Sequence, residues 1–236
     1  MLLHGLGKLT LLDYPGHLAC TAFTGACNFR CPFCHNALLV LNPASCESID
    51  EETFFRFLAS RKGKLEGVCV TGGEPTLQKD LPSLLESIRE MGYAIKLDTN
   101  GSRPEVLRQL AEQHLVDYVA MDIKNGPSTY AQTCGIPYMD MGPIEESIQY
   151  LVSSSLPHEF RTTLVHPLHS DNSVLEMGKW LASLVPGKKP EKLFLQRFQD
   201  RDTVLFAGFA APTEDDILRW KAMLAPYVQD VVIRGK

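Results

Sequence analysis

The stretch Gly67-Val68-Cys69-Val70-Thr71-Gly72-Gly73-Glu74-Pro75 sets the fold. Gly67–Thr71 is a short apolar run rich in β-branched residues, and the Gly-Gly-Glu-Pro that follows breaks it. Leu77–Met91 comes next, with Leu81, Leu84, Leu85 and Ile88 at helical spacing and Gly92 just past its end as a cap. A second β-type run, Ala94–Thr99, follows at once. Strand, helix and strand in this order form the crossover unit of a parallel sheet.

The same alternation extends both ways. Candidate strands are His17–Thr24, Asp117–Asp122, Glu159–Val165 and Lys192–Phe198, with a short last one at Val231–Arg234. Helical patterns cover Asp50–Lys62, which buries Phe54, Phe57 and Leu58, and Arg103–Glu112, capped by Ser102 with Pro104 in its first turn. Pro143–Val152, Asn172–Leu184 and Thr213–Tyr227 complete the set. Six such units in 236 residues predict an incomplete or full β/α barrel, with a flat doubly wound sheet as the alternative. Gly187–Glu191 reads as a surface turn, and no repeat or linker divides the chain, so residues 1–236 are expected to form a single domain.

Bulk composition excludes more than it selects. Apolar residues make up 44% and charged residues 22%, ordinary for a globular protein. A net charge of −5 offers no electrostatic footprint for nucleic acid. Met1–Gly7 lacks the pattern of a signal peptide, and no apolar run approaches the length of a membrane span, so a cytoplasmic protein is expected. Seven cysteines are present; three crowd into Cys27–Cys34, while Cys20, Cys46, Cys69 and Cys134 stand singly. Such clustering points to metal rather than to a disulfide framework.

The unusual polar residues fall at the carboxyl ends of the expected strands: the Cys27–Cys34 loop, Gly72–Pro75, Asp98–Asn100, Asp122–Lys124, His166 and Gln196–Phe198. Those ends build the active site in barrels and collect ligands in open α/β sheets. Cys27-Asn28-Phe29-Arg30-Cys31-Pro32-Phe33-Cys34 can aim three sulfurs at one inorganic centre. A cubane held wholly by protein needs four cysteines. Either a distant residue completes the set, or one iron stays open as a Lewis-acid position. A structural zinc with His35 or Cys46 as fourth ligand is the alternative, disfavoured because only one C-x-x-C occurs.

The C-x3-C-x2-C loop, with Phe33 before its last cysteine and Gly72-Gly73-Glu74-Pro75 after it, resembles the signature of the radical S-adenosylmethionine (SAM) family. Asp13-Tyr14-Pro15-Gly16, Cys34-His35-Asn36, Asp98-Thr99-Asn100-Gly101 and Met121-Asp122-Ile123-Lys124 are similar to its glycyl-radical enzyme activases, in particular the activating proteins of anaerobic ribonucleoside-triphosphate reductase. The resemblance runs from Gly5 to the C-terminus. It implies a single-domain partial (β/α)6 TIM-like barrel of the radical SAM type, with a [4Fe–4S] cluster and S-adenosyl-L-methionine as cofactors. It also implies that Cys27, Cys31 and Cys34 hold the cluster and are the catalytic set. Gly72, Gly73 and Glu74 would meet the methionine amine, Asp98 or Asn100 the ribose or methionine end, and Lys124 the methionine carboxylate with Asp122 near it. Arg161 would hold that carboxylate or pair with Asp122 or Glu74, and Phe33 would contact adenine through its backbone. Phe198, where a relative has histidine, would stack on adenine or sit in the core.

The family chemistry reductively cleaves S-adenosylmethionine to methionine and a 5′-deoxyadenosyl radical, with protein orienting and shielding the reactants. In the activase branch the radical removes a hydrogen from a glycine of the anaerobic reductase, so the implied partners are that glycyl-radical protein and a one-electron donor such as flavodoxin or ferredoxin. The alternatives are a radical SAM enzyme acting on a small molecule, like 7-carboxy-7-deazaguanine synthase, an activase of another glycyl-radical enzyme, and a zinc-stabilised scaffold. No second cysteine cluster exists to hold an auxiliary centre.

Overall fold

The computed structural model describes residues 1–204 and 206–235. The chain divides into two units, taken in turn.

The first unit comprises Met1–Asn28, Leu38–Thr99 and Glu105–Ala120. Its elements are β1 (Gly5–Thr10), β2 (Ala19–Thr24), α1 (Ala37–Leu41), α2 (Glu51–Ser60), β3 (Gly67–Gly72), α3 (Leu81–Glu90), β4 (Ala94–Thr99), α4 (Pro104–Glu112) and the start of β5 (Tyr118–Asp122). β2, β3 and β4 are parallel neighbours in chain order, with Ala19 opposite Gly67 and Gly67 opposite Ala94. This sequential order has no reversal of the kind a doubly wound sheet shows at its switch point. Ala19–Ala22 and Gly67–Val70 are buried throughout, as strands covered on both faces must be.

The helices follow their sequence signals. Asp50 caps α2 by accepting from Thr53 N at 2.7 Å. Phe54 and Leu58 of α2 and Leu81, Leu84, Leu85 and Ile88 of α3 are buried, each worth roughly 1.5–3 kcal/mol of transfer free energy. The expected helix Leu77–Met91 starts later, at Leu81, because Pro75–Leu77 forms a separate 3-10 turn capped by Glu74. Strand β1 was not anticipated. It pairs antiparallel with β2 through Gly5 opposite Phe23, and its two glycines give no strand signal of their own.

The second unit comprises Phe29–Ala37, Asn100–Pro104 and the chain from Met121 onward. It contains the end of β5, α5 (Pro127–Thr133), α6 (Gly142–Ser153), β6 (His158–Leu164), α7 (Asp171–Ser183), β7 (Lys192–Arg197), α8 (Glu214–Leu224) and β8 (Asp230–Arg234). β6, β7 and β8 are again parallel neighbours in chain order. Ile123 N donates to Arg161 O at 2.7 Å, tying the chain after β5 to β6. Ser170 and Thr213 each form a full capping box at the start of α7 and α8. α5, missed in the sequence, is a seven-residue helix. Asn125 just ahead of it donates to Thr133 Oγ1 and to Leu168 O.

His169 shows how a buried polar group is satisfied here. Val165 N donates to its Nδ1 at 3.2 Å, so Nε2 carries the proton and donates to Lys124 O at 3.0 Å. Burial pushes its pKa down from 6.5 to about 4. The folded protein thus holds a neutral imidazole that the unfolded chain would protonate. Its contribution is complete above pH 6.5 and is lost as pH falls towards 4, up to about 3 kcal/mol. Urea unfolding between pH 7 and pH 4 should show His169→Asn losing less stability than the wild type over that interval; parallel losses would refute the assignment.

Candidate active site

In the first unit, the Gly-Gly-Glu-Pro elbow is locked to the segment entering the cysteine loop. Gly72 has φ of 120°, a left-handed conformation suited to glycine, and a Cβ there would stand 2.3 Å from Thr24 O. Gly73 N donates to Thr24 O at 2.9 Å and Glu74 N to Ala26 O at 2.8 Å. Ala26, immediately before Cys27, has φ of 63° and donates its N–H to Leu39 O. The residue that launches the loop is therefore held from two sides. Glu74 is buried, and its Oε1 accepts from Thr76 N, Thr76 Oγ1 and Thr99 Oγ1. Its carboxylate thus braces the elbow and ties it to the end of β4. Thr76 was not singled out in the sequence, and Thr99 only as part of Asp98–Asn100, since a hydroxyl carries no motif of its own. Asp98, next to last in β4, lies on the same face as Lys96, whose Nζ donates to Asp98 Oδ1 at 2.5 Å.

In the second unit, Cys31 and Cys34 face a charged set. Asp122 accepts from Lys124 Nζ at 2.9 Å, and from Arg161 Nη2 at 3.0 Å and Nε at 3.1 Å. Loss of water alone would raise the Asp122 pKa, but Lys124 and Arg161 outweigh it and bring it down to about 2. Burial acts to lower the Lys124 pKa, yet Asp122 and Cys31 lift it well above its usual value. Arg161 thus bonds Asp122, one of the partners expected for it, and Lys124 likewise bonds Asp122.

The Cys31 thiol is held down to about 7, first by a hydrogen bond from Cys134, against the upward push of burial and with help from Lys124. Burial pushes the Cys34 thiol up. Cys134, read from the sequence as solitary, thus sits beside Cys31. Its carbonyl also accepts from Arg30 N at 2.8 Å, and a Cβ on Gly135 would stand 2.1 Å from Arg30 O. Cys134 lies a hundred residues downstream of the loop, so no local pattern announces the contact.

Phe198 is buried beneath the loop. The His35 ring stacks on it with centroids 5.6 Å apart and planes 8° apart, and Phe33 meets it edge-on at 6.5 Å. His35 Nε2 bonds Gln199 O at 2.6 Å. Asn100 Oδ1 accepts from Ser102 N at 2.9 Å and shapes the Asn-Gly turn. None of the seven cysteines is in a disulfide.

The model of the radical SAM superfamily matches residues 21–181, well over half of the chain. The protein belongs to the radical SAM superfamily. A Methanocaldococcus jannaschii protein named provisionally as a glycyl-radical enzyme activating enzyme is 28% identical over 99% of this chain and 95% of its own length. A 7-carboxy-7-deazaguanine synthase of Thermococcus kodakarensis is 32% identical over 63% of this chain and 54% of its own. A solved structure of TYW1 with a lysine-pyruvate adduct bound aligns with a TM-score of 0.63, at 16% identity, over 92% of this chain and 76% of that one. The fold is the α/β radical SAM fold. No helix among the described residues is long and apolar enough to cross a membrane.

The family's cofactors are a [4Fe–4S] cluster and S-adenosylmethionine. By residue type the cysteine loop suits such a cluster: Cys27, Cys31 and Cys34 are three thiols outside any disulfide within eight residues, although among the described residues no three His, Cys, Asp or Glu side chains are grouped so as to hold a metal ion.

Proposed function

We propose that this protein is a glycyl-radical enzyme activase whose partner is an anaerobic ribonucleoside-triphosphate reductase. The observation that carries the activase reading is end-to-end similarity to an archaeal protein provisionally named as a glycyl-radical enzyme activating enzyme, spanning 99% of this chain. Bound together, the reduced cluster and S-adenosylmethionine supply a deoxyadenosyl radical that can remove an unactivated hydrogen.

Cys27, Cys31 and Cys34 are the cluster ligands in this reading, and Cys134 orients Cys31. Gly72 and Gly73 offer backbone that a ligand can approach closely, and Glu74 keeps that elbow rigid. Asp98 and Asn100 accept from the hydroxyls or ammonium of S-adenosylmethionine. Lys124 and Arg161 present cations to its carboxylate, with Asp122 holding both in place. Phe33 contacts adenine through its backbone, with the buried Phe198 packed against its ring. The whole chain acts as one radical SAM domain in the cytoplasm and takes its electron from a flavodoxin or ferredoxin.

A second reading, a small-molecule enzyme, draws on the partial similarity to 7-carboxy-7-deazaguanine synthase. One experiment separates them. The anaerobically reconstituted protein is mixed with the reductase, S-adenosylmethionine and dithionite, and the reductase is examined by electron paramagnetic resonance. A glycyl-radical doublet is expected; cofactor cleavage with no protein radical would remove the activase reading.

A further inference from the structure

Lys96 lies in the middle of β4, flanked by the fully buried Ile95 and Leu97, and its own side chain is 1% exposed. It stands opposite Cys69 of β3, whose sulfur is 3.9 Å from Nζ. Its ion-pair partner is Asp98, two residues on along the strand and therefore on the same face. Asp98 is 12% exposed, so the pair runs from an enclosed ammonium to a carboxylate nearer the strand end.

Stability does not account for this pair. Removing an ammonium from water costs several kcal/mol, and buried ion pairs replaced by apolar residues of similar volume are often as stable or more so. A methionine or leucine at position 96 would suit the apolar neighbours better. The charge has a geometric consequence instead: with Oδ1 anchored from below at 2.5 Å, the Asp98 carboxylate is limited in rotation at the carboxyl end of β4.

We propose that Lys96 is a positioning residue, an internal cation that presents the Asp98 carboxylate to S-adenosylmethionine; this rests on the assignment of Asp98 under Proposed function. The test is a double-mutant cycle of Lys96→Met, Asp98→Asn and the double variant. Each is read by equilibrium dialysis of S-adenosylmethionine against the cluster-loaded protein and by urea unfolding. Lys96→Met is expected to raise the dissociation constant about tenfold, as loss of an ordered charged hydrogen bond does. The double variant should bind no more weakly than Asp98→Asn alone. Should Lys96→Met fail to fold, the double variant, in which both members of the pair are replaced by neutral side chains, still decides the matter against Asp98→Asn. Lys96→Met within twofold of wild type, while Asp98→Asn is weakened, would overturn the role of Lys96 alone, as would effects that multiply in the double variant. Asp98→Asn binding like wild type would overturn the contact assignment and the role of Lys96 with it.

Discussion

Cys31→Ala is expected to abolish iron binding and S-adenosylmethionine cleavage while the protein stays folded. Cys31 is the most deeply buried cysteine of the loop, at 7% exposure, and its thiol is the one drawn down to about 7. Removing even residues that merely orient a metal ligand costs 10–100-fold, so losing the ligand itself should lower cleavage by more than about a hundredfold. The structural cost is small. The backbone bonds that shape the loop, Cys34 N to Cys31 O and Arg30 N to Cys134 O, do not involve the Cys31 side chain. The loss of one buried sulfur should cost about 1 kcal/mol. Iron and sulfide analysis, product chromatography and a urea curve on the same preparation check all three parts. Cys46→Ala, which removes a thiol outside the loop, is the control and should keep its iron and its cleavage. If the two variants behaved alike, the ligand assignment would be wrong.

Gly73→Ala is expected to be the most damaging single methyl in the first unit. The added Cβ would stand 1.8 Å from Ala26 O and 2.6 Å from Ala26 C. These are backbone atoms and no rotamer change relieves them. Moving Ala26 away breaks its bond from Glu74 N, disturbs its bond to Leu39 O and displaces the entry to Cys27. Overpacking usually costs 1–3 kcal/mol; here, with backbone on both sides, the loss should be about 3 kcal/mol or more. The urea midpoint should fall accordingly, and iron content after reconstitution should fall with it because the loop is launched from the displaced residue. Gly63→Ala, where a Cβ meets nothing within 4 Å but φ is 74°, should cost only about 1 kcal/mol of backbone strain. A Gly73→Ala protein as stable as Gly63→Ala would show that the elbow is not the rigid joint described.

The strands that carry the site were legible because each is a short run carrying apolar residues between helical patterns. Ala94–Thr99 matches residue for residue, and Gly67–Thr71 misses only Gly72. β1 was not legible: Gly5 and Gly7 weaken the pattern, and the strand exists because β2 offers it an edge. The cysteine spacing and the Gly72–Pro75 elbow were visible as motifs, since both are local. What the sequence hid is the wiring between motifs. The triple acceptance at Glu74 Oε1, the Arg161–Asp122–Lys124 set and the approach of Cys134 to Cys31 join residues 25 or more apart, apart from Asp122–Lys124 and the Thr76 bonds. Lys96 was hidden for another reason. A lysine in a strand reads as a solvated residue, and only its 1% exposure turns it into a buried charge needing explanation.

The central claim is that this protein removes hydrogen from a glycine of a partner protein, and an isotope answers it most directly. The anaerobic reductase is prepared with glycine deuterated at its α-carbon and mixed anaerobically with this protein, S-adenosylmethionine and reductant. Mass spectrometry of the 5′-deoxyadenosine should then find one deuterium, in step with the glycyl radical formed. 5′-Deoxyadenosine without deuterium, at any yield, would contradict the claim.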